Sequence, residues 1–243
     1  MSARKPDECT ALPDVPEFGA SVAEYLTSLR FTGSLPQDFE VLNPYVFPEV
    51  RRVVTSVCHR FYVDTKPRIG IWGINPGRLG AGLTGLSFTD PVSLRDLFGV
   101  SSSITGRTEP SAQFIADVIR SYGGPEPFYR DVYVSALSPL GFLRDGKNVN
   151  FYDDPRFATN ILPWIDEQVA IQESFGLRRG IAIILGKGKL QTYVERNLRR
   201  RREWDQVTYL EHPRYVAQYR RSAWDQYVET YVQTIRNLVH SDS

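Results

Sequence analysis

RIGIWGIN, residues 68–75, decides the fold class. No charged side chain interrupts Ile69 to Ile74, and Asn75-Pro76-Gly77 ends the run, which is the pattern of a buried strand stopped by a turn. Three similar runs follow: DVYVSAL (Asp131–Leu137), halted by Ser138-Pro139; the fully apolar GIAIIL (Gly180–Leu185); and QVTYL (Gln206–Leu210). Helical patterns surround them. Ser21 caps an expected helix over Val22 to Arg30, and a second is expected from Pro48 to about Phe61 with Val53, Val54 and Val57 on one face. Asp90-Pro91 and Pro110-Ser111 open two more, the latter to about Tyr122. Asp154-Pro155 begins a long helix to about Phe175, and Lys189–Arg200 and Ala223–Val239 complete the set. Strands alternating with helices imply a parallel sheet covered on both faces. The expected fold is α/β, a three-layer αβα sandwich around a central four-stranded, mostly parallel sheet. We expect one domain over residues 16–243 after a flexible polar tail at 1–15.

Composition agrees with that architecture. Of 243 residues, 42% are hydrophobic and 12% aromatic, enough for a substantial core and too much for a disordered chain. No apolar run approaches the ~18 residues that a membrane span needs. The opening stretch, MSARKPDECTALPDVP, lacks the apolar segment of a secretory signal. Two cysteines, Cys9 and Cys58, cannot build a disulfide framework or a four-cysteine zinc site, and Cys58 reads as a small buried apolar residue. Three histidines (His59, His212, His240) make a histidine-rich metal centre a poor fit, so no metal is expected.

The net charge of +1 hides an asymmetry. Residues 1–50 carry three basic and eight acidic side chains, whereas residues 178–243 carry thirteen basic and seven acidic. Five of the seven residues from Arg196 to Arg202 are arginine. Two readings are open for that cluster: a solvated helix end, or a surface facing a polyanion.

In open α/β sheets, ligands bind just past the carboxyl ends of the strands. Four segments stand there: Asn75-Pro76-Gly77, Ser135 to Gly141, Gly186-Lys187-Gly188-Lys189, and Glu211-His212-Pro213-Arg214. We expect all four to converge on one cleft. Five glycines in the thirteen residues from Gly73 to Gly85 imply exposed backbone amides, yet neither a dinucleotide fingerprint nor a Walker A loop is present. A long structural turn is the competing reading. Phe88 is either an ordinary packing ring or a stacking platform for a flat ligand. His212 can be a satisfied structural residue or a donor to developing negative charge. The glycine-lysine segment opens a helix, where free amides and Lys187 and Lys189 suit a phosphodiester contact without metal; a solvated helix start is the alternative.

Taken together, Asn75-Pro76-Gly77-Arg78-Leu79-Gly80, Thr84-Gly85-Leu86-Ser87-Phe88 and His212-Pro213-Arg214 resemble the two motifs of the uracil-DNA glycosylase superfamily. The similarity is greatest to its single-strand-selective monofunctional (SMUG) branch and, within it, to a bacterial SMUG2-like subgroup. It runs from about Arg68 to Leu238 and includes PFYRDVYVSALSPLGFL and Trp224. The resemblance implies removal of uracil, or another deaminated base, from single- or double-stranded DNA during base excision repair. Asn75 would orient the attacking water, and His212 would hydrogen-bond O2 of the departing anion. Phe88 would stack on the extruded base while Gly77, Arg78 and Leu79 line its edge. Lys187 and Lys189 would hold phosphates, and the stretch from Arg214 to Arg221, with Tyr215, Gln218 and Arg220, would fill the gap left by the flipped base. No cofactor is implied. A monomer acting in the bacterial cytoplasm, at the nucleoid, is the corresponding expectation.

The sequence also departs from that family. The SMUG pattern has an asparagine at the end of the second strand to read the pyrimidine edge; here Ala136 stands between Ser135 and Leu137. Ser135, Ser138, Asn148 and Asn150 are the candidates to replace it. Arg78 stands where motif 1 has a second proline. Two rival readings follow: a damage-sensing DNA-binding protein without catalysis, and a hydrolase of free nucleosides or nucleotides.

Overall fold

The computed structural model describes residues 17–241; the expected tail at 1–15, with Cys9, lies outside the described residues. The chain begins α1 (Phe18–Ser28), β1 (Phe39–Leu42), α2 (Pro48–Phe61) and β2 (Arg68–Gly73). It continues α3 (Ala81–Thr84), α4 (Pro91–Asp96), α5 (Pro110–Tyr122), α6 (Pro125–Asp131) and β3 (Val132–Ala136). Then come β4 (Gly141–Arg144), β5 (Lys147–Val149), α7 (Pro155–Asn160), α8 (Leu162–Glu173) and β6 (Leu177–Leu185). The last elements are α9 (Lys189–Asn197), β7 (Gln206–Leu210), α10 (Pro213–Tyr219) and α11 (Trp224–His240).

The four expected strands form one sheet in the order β3-β2-β6-β7. Every neighbouring pair is parallel, so the sheet is wholly rather than mostly parallel. Helices flank it, as the αβα expectation requires. All residues of β2 and β3 are buried, which is why they read as unbroken apolar runs. Arg68 is the exception in kind. Its fully buried guanidinium donates to the Tyr129 carbonyl at 2.7 Å and to Asp64 Oδ1 at 3.0 Å, and lies over the Phe18 ring at 4.4 Å. That arrangement supplies the partners a buried charge needs.

Several boundaries differ from the sequence reading. The first helix starts at Phe18 rather than after Ser21, because Phe18 buries its ring between Tyr62 and Tyr133 and tertiary packing outweighs a capping residue. The long helix expected from Pro155 to Phe175 is two, α7 and α8, separated at Ile161; Pro163, in the first turn of α8, has no N–H to continue the ladder. The strand expected from Gly180 begins at Leu177, with a register shift between Arg68 and Gly70 of its neighbour. A second, antiparallel sheet, β1-β4-β5, was not expected at all. Its β4–β5 hairpin turns on Asp145-Gly146, both left-handed (φ 50° and 68°), the two-residue turn whose twist matches its strands.

Candidate active site

A cleft of about 530 Å³ opens past the carboxyl ends of the sheet strands. The chain from Gly73 to Ala81 lines it, together with Ser87, Phe88, Ala136, His212, Arg214 and Gln218. Lys147, Asn148 and Asn150 enter from the β4–β5 hairpin, and Thr108 to Ser111 from the start of α5. Three of the four strand-end segments therefore meet there. The fourth, Gly186–Lys189, does not line the cleft, though it borders the His212 segment: Lys187 Nζ sits 3.3 Å from Glu211 Oε1.

Asn75 is half-buried and its amide is fixed at both ends. Nδ2 donates to the Val149 carbonyl at 3.2 Å, while Oδ1 accepts from the Phe151 N–H at 3.3 Å. Because a backbone carbonyl only accepts and an amide N–H only donates, these partners determine which way the Asn75 amide faces. One lone pair of Oδ1 is left for a further donor.

His212 caps α10. Its Nδ1 accepts from the Arg214 backbone N–H at 3.1 Å, so the neutral ring carries its proton on Nε2. Desolvation, with a smaller contribution from the Arg214 charge, pushes the imidazole down to about 4. The Tyr231 hydroxyl donates to the Glu211 carbonyl and anchors the backbone just before His212. This is a fixed neutral hydrogen-bond donor in a partly dry site, suited to stabilising an anion.

Phe88 faces His212 with ring centroids 5.9 Å apart. Its backbone is left-handed (φ 52°), a strained state for a bulky residue. The loop that holds it there is braced by buried groups. Thr84 Oγ1 donates to the Thr89 carbonyl at 2.7 Å, and Asp90 accepts from the N–H groups of Ser93 and Glu109, both at 2.6 Å. Gly73 makes room for the ring, since a Cβ there would lie 2.7 Å from Phe88 Cζ. Gly73 pairs with Ala136 across the sheet, so two small residues adjoin the aromatic platform.

A family model of the uracil DNA glycosylase superfamily matches residues 60–236. The chain belongs to that superfamily. Among solved structures, the crystal structure of wild-type Pedobacter heparinus SMUG2 matches with a TM-score of 0.88 at 31% sequence identity, over 92% of this chain and 99% of that one. No curated protein matches. The similarity supports the SMUG2-like subgroup and a uracil-DNA glycosylase type of function.

Against that background the expected site residues divide. The cleft brings together Asn75, Gly77, Arg78, Leu79, Phe88, Ala136, His212, Arg214 and Gln218. Ser135 and Ser138 are not among its lining. Ser135 points to the opposite side of β3 from Ala136, where it and Tyr133 both donate to Gln172 Oε1 in the core. Ser138 is fully buried and donates to the Leu140 carbonyl at 2.6 Å. Tyr215, Arg220 and Arg221 lie on or just after α10 and outside the cleft. The Tyr215 and Tyr219 rings are 5.5 Å apart, and the Arg220 guanidinium lies over Tyr215. Lys189 is exposed at the first position of α9. Cleft residues missed in the sequence include Thr108, Glu109, Ser111 and Lys147. Glu109 caps α5 through Ala112 N–H at 2.9 Å, and Lys147 arrives only because of the Asp145-Gly146 turn.

Among the described residues, no helix is long and apolar enough to cross a membrane.

Proposed function

We propose that the chain is one monofunctional glycosylase domain that hydrolyses the N-glycosidic bond of uracil, or another deaminated base, in DNA. One observation carries the reading: an asparagine amide and a neutral histidine donor, each fixed by backbone hydrogen bonds, line the same cleft beside an aromatic platform. Water donates a hydrogen bond to Asn75 Oδ1 and approaches C1′ as the glycosidic bond breaks. The electron pair leaves with the base, and the His212 Nε2–H supports the charge on its O2. Asparagine is too weakly basic to take the proton early, so the water attacks an already cationic sugar; after C–O bonding its proton passes to solvent, and the departing base anion takes one up. The products are an abasic site and the free base. Phe88 stacks on the extruded base, and Lys187, Lys189, Arg214, Tyr215, Gln218, Arg220 and Arg221 contact the strand outside the cleft or at its rim.

The test is base release from a labelled single-stranded oligonucleotide containing one uracil, with alkali cleavage to reveal abasic sites. Parallel substrates carry hypoxanthine and xanthine, and a duplex series compares strand preference. Release by the wild type and its loss in His212→Ala support the reading. Ala136 favours a second one, a damage-binding protein without catalysis, for which the same oligonucleotides would be bound in a salt-sensitive way and left intact.

A further inference from the structure

Deamination converts an exocyclic amine into a carbonyl, so a hydrogen-bond donor becomes an acceptor at one corner of the base. We propose that Asn148 reads that corner with a fixed N–H donor, admitting uracil and hypoxanthine together while refusing cytosine and adenine. The inference rests on the glycosylase reading above and names its substrate class.

Asn148 stands on β5 and lines the cleft with Phe88 and Ala136. Its Oδ1 accepts from the Arg78 backbone N–H at 3.0 Å. That partner can only donate, so the amide has one orientation, and Nδ2 presents its two N–H groups elsewhere. No described carbonyl or carboxylate accepts from them. Nδ2 lies beside Gly77, 3.3 Å from where a Cβ on that residue would be, and the missing side chain leaves the donor open to the cleft. Asn150 also lines the cleft, but its amide makes no hydrogen bond among the described residues and so has no set orientation.

Ala136 supplies no polar side-chain atom, so the end of β3 cannot read a pyrimidine edge through paired donor and acceptor contacts. A single donor leaves the size of the base unread. It meets O4 of uracil and O6 of hypoxanthine equally, whereas the amines of cytosine and adenine set donor against donor. Xanthine carries the same O6 as guanine, so this contact does not separate that pair.

Asn148→Asp is the informative substitution, because a carboxylate keeps the acceptor for the Arg78 N–H and the side-chain shape while removing the donor. Single-turnover release would be compared for uracil, hypoxanthine, cytosine, adenine and 2-pyrimidinone, a uracil analogue lacking O4. Wild type is expected to release uracil and hypoxanthine and neither amino base. Asn148→Asp should slow both by about 10- to 100-fold. It should slow 2-pyrimidinone no further than the missing carbonyl already does, and binding to an abasic oligonucleotide should hold within about twofold of wild type. Undiminished release by Asn148→Asp would overturn the inference, as would equal slowing of uracil and its O4-less analogue. Loss on Asn150→Ala but not on Asn148→Asp would transfer the role to Asn150. A wild type that releases no base would sink the glycosylase reading itself, and this inference with it.

Discussion

The Nδ1 atom of His212 accepts a hydrogen bond from the backbone N–H of Arg214, two residues on, at 3.1 Å. A helix cap thus doubles as a tautomer lock. The same geometry that satisfies the first turn of α10 obliges the neutral ring to hold its proton on Nε2. Burial makes the neutral form the stable one, since desolvation holds the pKa at about 4, well below the usual 6.5.

The pH dependence follows from that depression. Above pH ~4 the ring is neutral, so single-turnover release should show no imidazole titration between about pH 5 and about pH 8. Below pH ~4 a second proton enters at Nδ1, where it opposes the Arg214 N–H, and the rate should fall. An inflection near 6.5 would show an ordinary solvated imidazole and refute the locked tautomer. His212→Ala, which removes the donor, should lower the rate by about 10²- to 10³-fold with DNA affinity retained.

Asn75 is held from the hairpin side of the cleft, by Val149 and Phe151. Asn75→Ala removes the oxygen proposed to orient the water and should cost at least about 100-fold in rate, with little change in binding of an abasic oligonucleotide. The hairpin makes a sharper prediction. Gly146→Val places a β-branched residue at φ 68°, which should disturb the turn and with it the Asn75 clamp. Its rate should fall although it lies outside the cleft lining, while the melting temperature of the whole protein changes by only a few degrees. A wild-type rate in that variant would show that the hairpin does not hold Asn75.

Phe88 and Gly73 act as a pair. Phe88→Ala removes the proposed stacking surface and should lower kcat/KM by about 10- to 100-fold, in line with ~1–3 kcal/mol for base–aromatic stacking. Gly73→Ala introduces a Cβ that meets the far end of the Phe88 ring at 2.7 Å. Since a ring can move where the buried β2 backbone cannot, the ring should be displaced into the cleft. We expect the two single variants to share a phenotype and the double variant to be little worse than either. Additive losses would mean that the residues act independently.

Much of this molecule is legible in its sequence because the sheet strands are buried on both faces. Such strands read as apolar runs whatever surrounds them, so β2, β3, β6 and β7 are found to within a few residues. The strand-end rule then locates Asn75 and His212 without further information, whereas Phe88, fifteen residues past the end of β2, is found through the glycine-rich loop that carries it. The small second sheet is harder. β5 reads Lys-Asn-Val and carries no apolar pattern, and only the Asp145-Gly146 pair marks the turn before it. Missing that pair hides how Lys147 and Asn148 reach the cleft. Ser135 illustrates the opposite error: strand alternation puts it with Tyr133, facing Gln172, and away from Ala136.

The arginine-rich stretch from 196 to 202, for which charge alone left two readings open, is in part accounted for by the fold. Arg199 is paired with Glu195 at 3.0 Å, and Arg202 lies 3.3 Å from Asp166 and 3.6 Å from Glu173. Arg199 also donates to the carbonyls of Trp204 and Asp205, tying the end of α9 to the start of β7. These guanidiniums are committed to the fold. Arg214 has no carboxylate partner among the described residues and lies at the cleft mouth. Replacing Arg202 by alanine should therefore lower the melting temperature and leave the salt dependence of DNA binding unchanged. Replacing Arg214 should leave stability nearly unchanged and reduce the slope of log K against log salt by about 0.7–0.9, the loss of one phosphate contact. Measuring both variants by thermal denaturation and by DNA titration at several salt concentrations separates the two assignments. A reduced slope for Arg202→Ala would favour the polyanion-facing reading of the arginine cluster instead.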